Sequence, residues 1–239
     1  MKKIFLIMLS VLLITGCNKN EDELVLVTEA GFAPYEYYEN GQIVGVDIDI
    51  AKEIANSLGK ELVIKDVAFD SIINEVKSGK ADIGAAGISY SDERAKQVDF
   101  TINYATSSQV IIVRTNSDIK SAKDISDKKI AVQLGSVADT YVTQNYKNAT
   151  IVRQKKYLAA IQDLKTSKVD CVVMDKLPAI EMVNTNEGIV LLPEDLTNEN
   201  YGMVVKKGND ELLEKVNKVL QRLIDEGKVD SYIINHSSK

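Results

Sequence analysis

A nineteen-residue unit occurs twice in this chain, which predicts a fold of two related α/β halves. Phe69–Gly87 reads FDSIINEVKSGKADIGAAG and Tyr157–Asp175 reads YLAAIQDLKTSKVDCVVMD. Aligned without a gap, the two share Ile73 with Ile161, Lys77 with Lys165, Lys80 with Lys168 and Asp82 with Asp170, and Val76 falls opposite Leu164. Each has an amphipathic helical stretch, a short polar break containing Lys-x-Asp, and an apolar run of strand length. Two such units predict two similar lobes, each bringing the carboxyl end of a strand to a common place. Open α/β sheets bind their ligands at that end.

The first residues read as a leader rather than as part of the fold. Met1-Lys2-Lys3 is positive, Ile4–Ile14 is an uncharged apolar run, and Ile14-Thr15-Gly16-Cys17 follows. The run suits a signal-peptide core, since a spanning helix needs about 20 apolar residues. The sequence ending at Cys17 resembles a bacterial lipobox, which implies cleavage before Cys17 and lipidation of it. Asn18–Glu23 is polar and serves as a short tether. Buried acyl chains contribute about 0.8 kcal/mol per CH₂, enough to hold a multiply acylated protein on a membrane that it does not cross.

Without Lys2 and Lys3 the chain carries 27 basic and 35 acidic residues, a balance that argues against nucleic acid as a partner. With Cys17 modified, Cys171 is left alone in the apolar run DCVVM and reads as an inert core thiol. His236 is the chain's one histidine, and no Ser–His pair, metal-ligand cluster or phosphate loop is visible. No catalytic residue, metal or cofactor is therefore expected.

Periodicity and turn chemistry place the remaining elements. Leu24–Thr28 is a strand that leads into a loop at Glu29–Tyr35, and Asn40-Gly41 signals a hairpin between Tyr35–Tyr38 and Gln42–Val46. Asp47–Leu58 is an amphipathic helix with Ile48, Ala51, Ala55 and Leu58 on its apolar face and Gly59 as its stop. Leu62–Val67 is a strand before the first repeated unit. Ser91 caps a helix over Asp92–Val98, with Arg94 in its first turn. Gln109–Arg114 is a strand leaving the first lobe, and Lys129–Gln133 is a strand before a helix over Val137–Tyr146. Leu191–Asn200 reads as loop, Gly202–Lys206 as strand and Asp210–Glu226 as the clearest helix. With no obvious linker between the lobes, strands are expected to cross from one to the other.

Two residues carry chemistry on this reading. Arg94 follows the first repeated strand, where a guanidinium can meet a carboxylate with two parallel N–H···O bonds. Asp175 ends the second repeated strand, and a carboxylate there needs water or a cationic partner.

At this point the chain resembles the polar amino-acid-binding proteins of ATP-driven importers, the family 3 solute-binding proteins. The resemblance runs from about Leu24 to the C-terminus. FAPYEYYENGQIVGVDIDIAKEIANSLG and SGKADIGAAGISYSDERAKQVDFT carry it, supported by KIAVQLGS and KVDCVVMD. It implies a two-lobed periplasmic-binding-protein-like α/β fold of type II, each lobe a mixed sheet flanked by helices, joined by two crossing strands. The organisation expected is a signal peptide at 1–16, a lipidated tether at 17–23, one lobe from 24–107 with 201–239, and the other from 108–200.

The resemblance also implies site roles. Arg94 binds the α-carboxylate of an amino acid, helped by the backbone and hydroxyl of Ser89, and Ser136 adds a backbone N–H at a helix start. Gly87 offers a carbonyl, and Asp175 a carboxylate, to the α-ammonium. Phe32 and Phe69 sandwich the ligand side chain, with Gln133 and Ala86 as further pocket residues. Glu29 stands where many relatives place an aspartate that meets the side-chain end, which biases the ligand toward arginine or lysine, with glutamine or cystine as alternatives. The implied partners are a free amino acid, an ABC permease membrane subunit, and the outer face of a membrane through the lipid anchor, the protein itself being a monomer. Two competing readings remain: an amino-acid-sensing lipoprotein without transport, and a dehydratase or glycan-cleaving enzyme on the same scaffold.

Overall fold

A computed structural model describes residues 21–237. The leader and Cys17 lie outside the described residues. The chain runs through β1 (Glu23–Thr28), a hairpin of β2 (Tyr37–Glu39) and β3 (Gln42–Val44), α1 (Val46–Leu58) and β4 (Glu61–Asp66). A 3-10 turn at Phe69–Ser71 leads to α2 (Ile72–Lys77), β5 (Ile83–Gly84), α3 (Asp92–Ala95) and β6 (Val98–Phe100). After β7 (Ala105–Ser107) come β8 (Gln109–Arg114), β9 (Lys129–Gln133), α4 (Val137–Asn145), β10 (Thr150–Gln154) and α5 (Tyr157–Lys165). Next are β11 (Cys171–Asp175), α6 (Lys176–Thr185) and β12 (Ile189–Leu191). The chain returns through β13 (Glu199–Tyr201) and closes with β14 (Val204–Lys206), α7 (Asp210–Asp225) and α8 (Lys228–His236).

The two five-stranded sheets have the same plan. One is ordered β4-β1-β5-β14-β6 and the other β10-β9-β11-β8-β12. In each, the first three strands are parallel, and the fourth, which arrives from the other lobe, is antiparallel. The duplication extends to single hydrogen bonds. Asp82 accepts from the Val25 N–H at 2.8 Å, and Asp170 accepts from the Lys129 N–H at 2.8 Å. The N–H groups of the same aspartates return to the Val25 and Lys129 carbonyls, both at 2.8 Å. Lys80 N–H meets the Glu75 carbonyl and Lys168 N–H the Asp163 carbonyl, again at matching positions. The shared Lys-x-Asp is thus the clasp that ties each helix–strand turn to the neighbouring parallel strand of its sheet, β1 or β9. The left-handed turn residue is Gly79 in one copy and Ser167, at φ 60°, in the other.

Several expectations needed adjusting. The helix carrying Arg94 ends at Ala95, not Val98, because Val98–Phe100 pairs antiparallel with β14. Backbone pairing at the sheet edge outweighs continued helix there. The segment expected to be loop over Leu191–Asn200 is flanked by strand at both ends, and its last residues belong to β13. In α1 the buried residues also include Val46, Ile50 and Ile54, since the helix is covered by its sheet on one side and by α7 and α8 on the other. The Asn40-Gly41 turn has φ 50° and 80°, the two positive values that a tight hairpin with a matching twist requires.

β7 and β13 form a separate antiparallel pair between the sheets, with Glu199 opposite Ser107 and Tyr201 opposite Ala105. The crossing is therefore made just before Gln109–Arg114, which sits inside the second sheet. A chain of rings runs past this pair from one lobe to the other. Tyr201 packs edge-on against Tyr35 at 5.1 Å, Tyr35 lies 6.1 Å from Phe32, and Phe32 stacks on Tyr157 at 5.8 Å. Tyr157 belongs to the second lobe, so the lobes are in contact and the cleft is closed. Among the described residues no helix is long and apolar enough to cross a membrane.

Candidate ligand-binding site

The strand ends of the two sheets meet at a small cavity between the lobes. Phe32, Phe69, Ala86, Gly87, Ser89 and Arg94 line it from the first lobe, and Gln133, Ser136, Val137 and Asp175 from the second. These are the residues that the sequence singled out, with Val137 in addition and Glu29 missing. The cavity continues past Phe69, Ser89 and Arg94 into a larger groove reaching Tyr90, Gly135 and Asn198.

Arg94 is placed by a short helix whose N-cap is Ser91, the Ser91 hydroxyl accepting from the Arg94 N–H at 3.2 Å. Its Nη1 donates to the Ser89 carbonyl at 2.7 Å and its Nη2 to the Gly135 carbonyl of the other lobe at 3.0 Å. The guanidinium carbon lies 5.4 Å from the centre of the Phe69 ring, a cation–π geometry. Burial works against its charge, while Asp175 and Glu199 support it. A guanidinium has five N–H donors, so these two contacts orient it and leave capacity for an anion.

Ser89 contributes differently from expectation. Its carbonyl aims Arg94, but its hydroxyl donates to Glu199 at 2.5 Å and is not free to donate to a ligand carboxylate. The Ser136 N–H is likewise engaged, donating to the Gln133 carbonyl at 3.2 Å. Ser136 is instead the N-cap of α4, its hydroxyl accepting from Asp139 N–H at 3.2 Å. The N–H groups of Val137 and Ala138, in the first turn behind it, have no acceptor within the helix and give this end its positive character.

Asp175 ends β11, almost fully buried, and accepts from the Tyr201 hydroxyl at 2.5 Å. Burial, with the nearby Glu199 charge, holds its carboxyl well above the usual carboxylate range. A cation placed beside it would relieve both effects. Gly87 sits at φ 52°, and a Cβ there would come within 2.7 Å of the Phe32 ring. Its N–H donates to the buried Asp47 at 3.2 Å, and Asp47 also accepts from Tyr104 at 2.7 Å.

The cavity thus sets one cation, Arg94, and one anion, Asp175, against aromatic and backbone walls. That suits a small zwitterion with an apolar or polar side chain. The model of the bacterial extracellular solute-binding proteins, family 3, matches residues 24–235. The chain belongs to that family. Arginine-binding extracellular protein ArtP of Bacillus subtilis (strain 168) is 29% identical over 221 residues, covering 90% of this chain and 86% of its own. An ancestral arginine-binding protein bound to arginine is 40% identical with a TM-score of 0.85, covering 90% of this chain and 98% of that one. An ancestral arginine-binding protein bound to glutamine is 39% identical with a TM-score of 0.86, covering 91% of this chain and 99% of that one.

In this family 3 protein, several residues that contact the cavity lining were not singled out from the sequence. Tyr157, which stacks on Phe32, is the repeat counterpart of Phe69, so the internal alignment itself held the signal. Glu199 and Tyr201 lie on the returning strand β13, and nothing local marks a polar three-residue strand as part of a site. Lys156 pairs with Glu29 across the cleft at 3.2 Å, a contact that sequence spacing cannot reveal. Cys171 is fully buried and free, and burial pushes its thiol up to about 12, as an inert core residue requires. Among the described residues no group of three or more His, Cys, Asp and Glu side chains is arranged to hold a metal ion.

Proposed function

We propose that this chain captures a free polar L-amino acid outside the cytoplasm and passes it to an ABC permease through closure of its two lobes. The observation that carries the reading is the placement of Arg94 and Asp175 on opposite lobes around one small cavity. Arg94 would hold the α-carboxylate, together with the first N–H groups of α4, and Asp175 and the Gly87 carbonyl would hold the α-ammonium. Phe32 and Phe69 would flank the side chain, with Ala86, Gln133, Ser89 and Ser136 shaping the walls. The moving bodies would be residues 24–107 with 201–239 and residues 108–200. Since contacts made only in the closed form drive closure, the ligand would shift a pre-existing equilibrium.

The family relationship supports an extracytoplasmic location, and the lipobox-like leader supports an anchor on Cys17, which would raise the effective concentration beside the permease. The role is binding rather than chemistry. Arginine or lysine is the first expectation for the ligand because the acid Glu29 stands one hydrogen bond behind Gln133 of the cavity wall, with glutamine and cystine next. Relatives named as arginine-, L-cystine- and glutamine-binding proteins support this choice.

The test is a thermal-shift screen of the ligand-free protein from residue 24 onward against the twenty amino acids, followed by calorimetry. A bound ligand at 100 times its Kd raises stability by about 2.7 kcal/mol. No shift and no heat with any of the twenty would sink the reading.

A further inference from the structure

Glu29 is almost fully buried at the end of β1, and it does not line the cavity. Gln133 of the second lobe, which does, donates to Glu29 Oε2 at 2.9 Å, so Glu29 lies one hydrogen bond behind the cavity wall. Its other oxygen, Oε1, has no aligned hydrogen-bond donor but has the Lys156 ammonium 3.2 Å away. Lys156 also belongs to the second lobe, and it is half in solvent while Glu29 is not. The same ammonium contacts Asp66 of the first lobe at 3.1 Å and 3.4 Å. Asp66 is itself fixed, accepting from the Ala30 N–H at 2.9 Å. The backbone leaves no slack around Glu29 either, since a Cβ on Gly31 would lie 3.0 Å from Oε1.

Three charges therefore meet behind Gln133, two acids from one lobe and one protein cation from the other. A buried carboxylate needs a cation, and Lys156 supplies it when no ligand does. The guanidinium or ammonium of a ligand side chain reaching Glu29 would put a second cation against the same carboxylate. It must displace Lys156, which has Asp66 to fall back on. A neutral amide needs no displacement, because it meets Gln133 with the Glu29–Lys156 pair intact behind it.

We propose that Lys156 is a specificity-determining residue: it competes with a cationic ligand side chain for Glu29, with Asp66 as its alternative partner, and so lowers the preference for arginine over glutamine. The inference rests on the amino-acid-binding reading given above. Lys156 also ties the lobes together in the closed state, so its loss weakens every ligand to a similar degree. The ratio of two affinities removes that shared effect.

The experiment measures Kd for L-arginine and L-glutamine by calorimetry at low salt, in the parent, Lys156→Met, Lys156→Arg and Asp66→Asn proteins. Lys156→Met is expected to raise the arginine-to-glutamine affinity ratio at least tenfold, and Lys156→Arg to leave it within threefold of the parent. Asp66→Asn, which removes the fallback partner, is expected to lower the ratio. A ratio unchanged in Lys156→Met, or shifted toward glutamine, overturns the proposal, as does a parent lacking arginine affinity whose Lys156→Met form still lacks it. The twenty-amino-acid screen separates the two failures. If the parent binds an amino acid and Arg94→Ala abolishes it while the ratio does not respond to Lys156, only the role of Lys156 falls.

Discussion

Arg94 of the first lobe donates to the Gly135 carbonyl of the second at 3.0 Å, so the cation expected to hold a ligand carboxylate also touches the lobe that must close over it. On the proposed function, ligand binding and closure would share one side chain.

Arg94→Ala should lower ligand affinity by roughly 30-fold or more, since removing one partner of a desolvated charge pair costs about 2–5 kcal/mol. Arg94→Lys should recover little of this, because an ammonium cannot reproduce the planar fork that meets the Ser89 and Gly135 carbonyls. Calorimetry with whichever amino acid the screen identifies checks both, and parental affinity in either variant would count against the proposed site.

Asp175 should make binding pH-dependent. Burial and Glu199 raise its carboxyl above the usual range, so the free protein takes up a proton at pH values where exposed carboxylates are still ionised. A ligand ammonium favours the ionised form. Affinity should therefore be full at pH 8 and fall on acidification at pH values still above about 5, approaching tenfold per pH unit. Asp175→Asn should bind weakly throughout and lose that slope. An unchanged slope in the variant would remove Asp175 from the role.

Glu36 should make the fold itself pH-dependent. It is fully buried in the first lobe beside Asp47, and burial followed by the Asp47 charge holds its carboxyl well above the usual range. The native state keeps a proton that the unfolded chain releases above about pH 4.3, so this group's contribution to stability declines as pH rises. Glu36→Gln abolishes that titration. Relative to the parent, the variant should gain stability as pH rises above about 5. Urea unfolding at several pH values reads this directly, and a constant difference between the two proteins would contradict it.

Asp82 and Asp170 should prove equivalent. Each clasps a neighbouring parallel strand of its own sheet, β1 or β9, with a 2.8 Å bond to a backbone N–H. Asp82→Ala and Asp170→Ala should each destabilise by about 0.5–1.5 kcal/mol, the net contribution of a typical intramolecular hydrogen bond. Since the two lie in different sheets, the double variant should show the sum. Denaturant unfolding that finds one aspartate dispensable would show that the two clasps are not energetically alike.

The repeated unit, the Asn-Gly hairpin, the α1 stop at Gly59 and the Ser91 cap were all legible in the sequence. Each depends on residues within a few positions of one another, where periodicity, turn chemistry and capping act directly. The repeat placed the strand ends at Gly87 and Asp175 together, and the family resemblance supplied the other residues expected around Arg94 and Asp175. The tertiary structure alone decided what crosses between the lobes. The short polar strand Glu199–Tyr201, the Tyr157 stack on Phe32, the engagement of Ser89 with Glu199 and the hold of Lys156 on Glu29 join residues far apart in the chain. Their energies come from burial and charge pairing in the closed cleft, which no local pattern encodes. The sequence by itself therefore specified two similar lobes and where they meet. Closure decided which polar groups remain available to a ligand and which the protein has already satisfied.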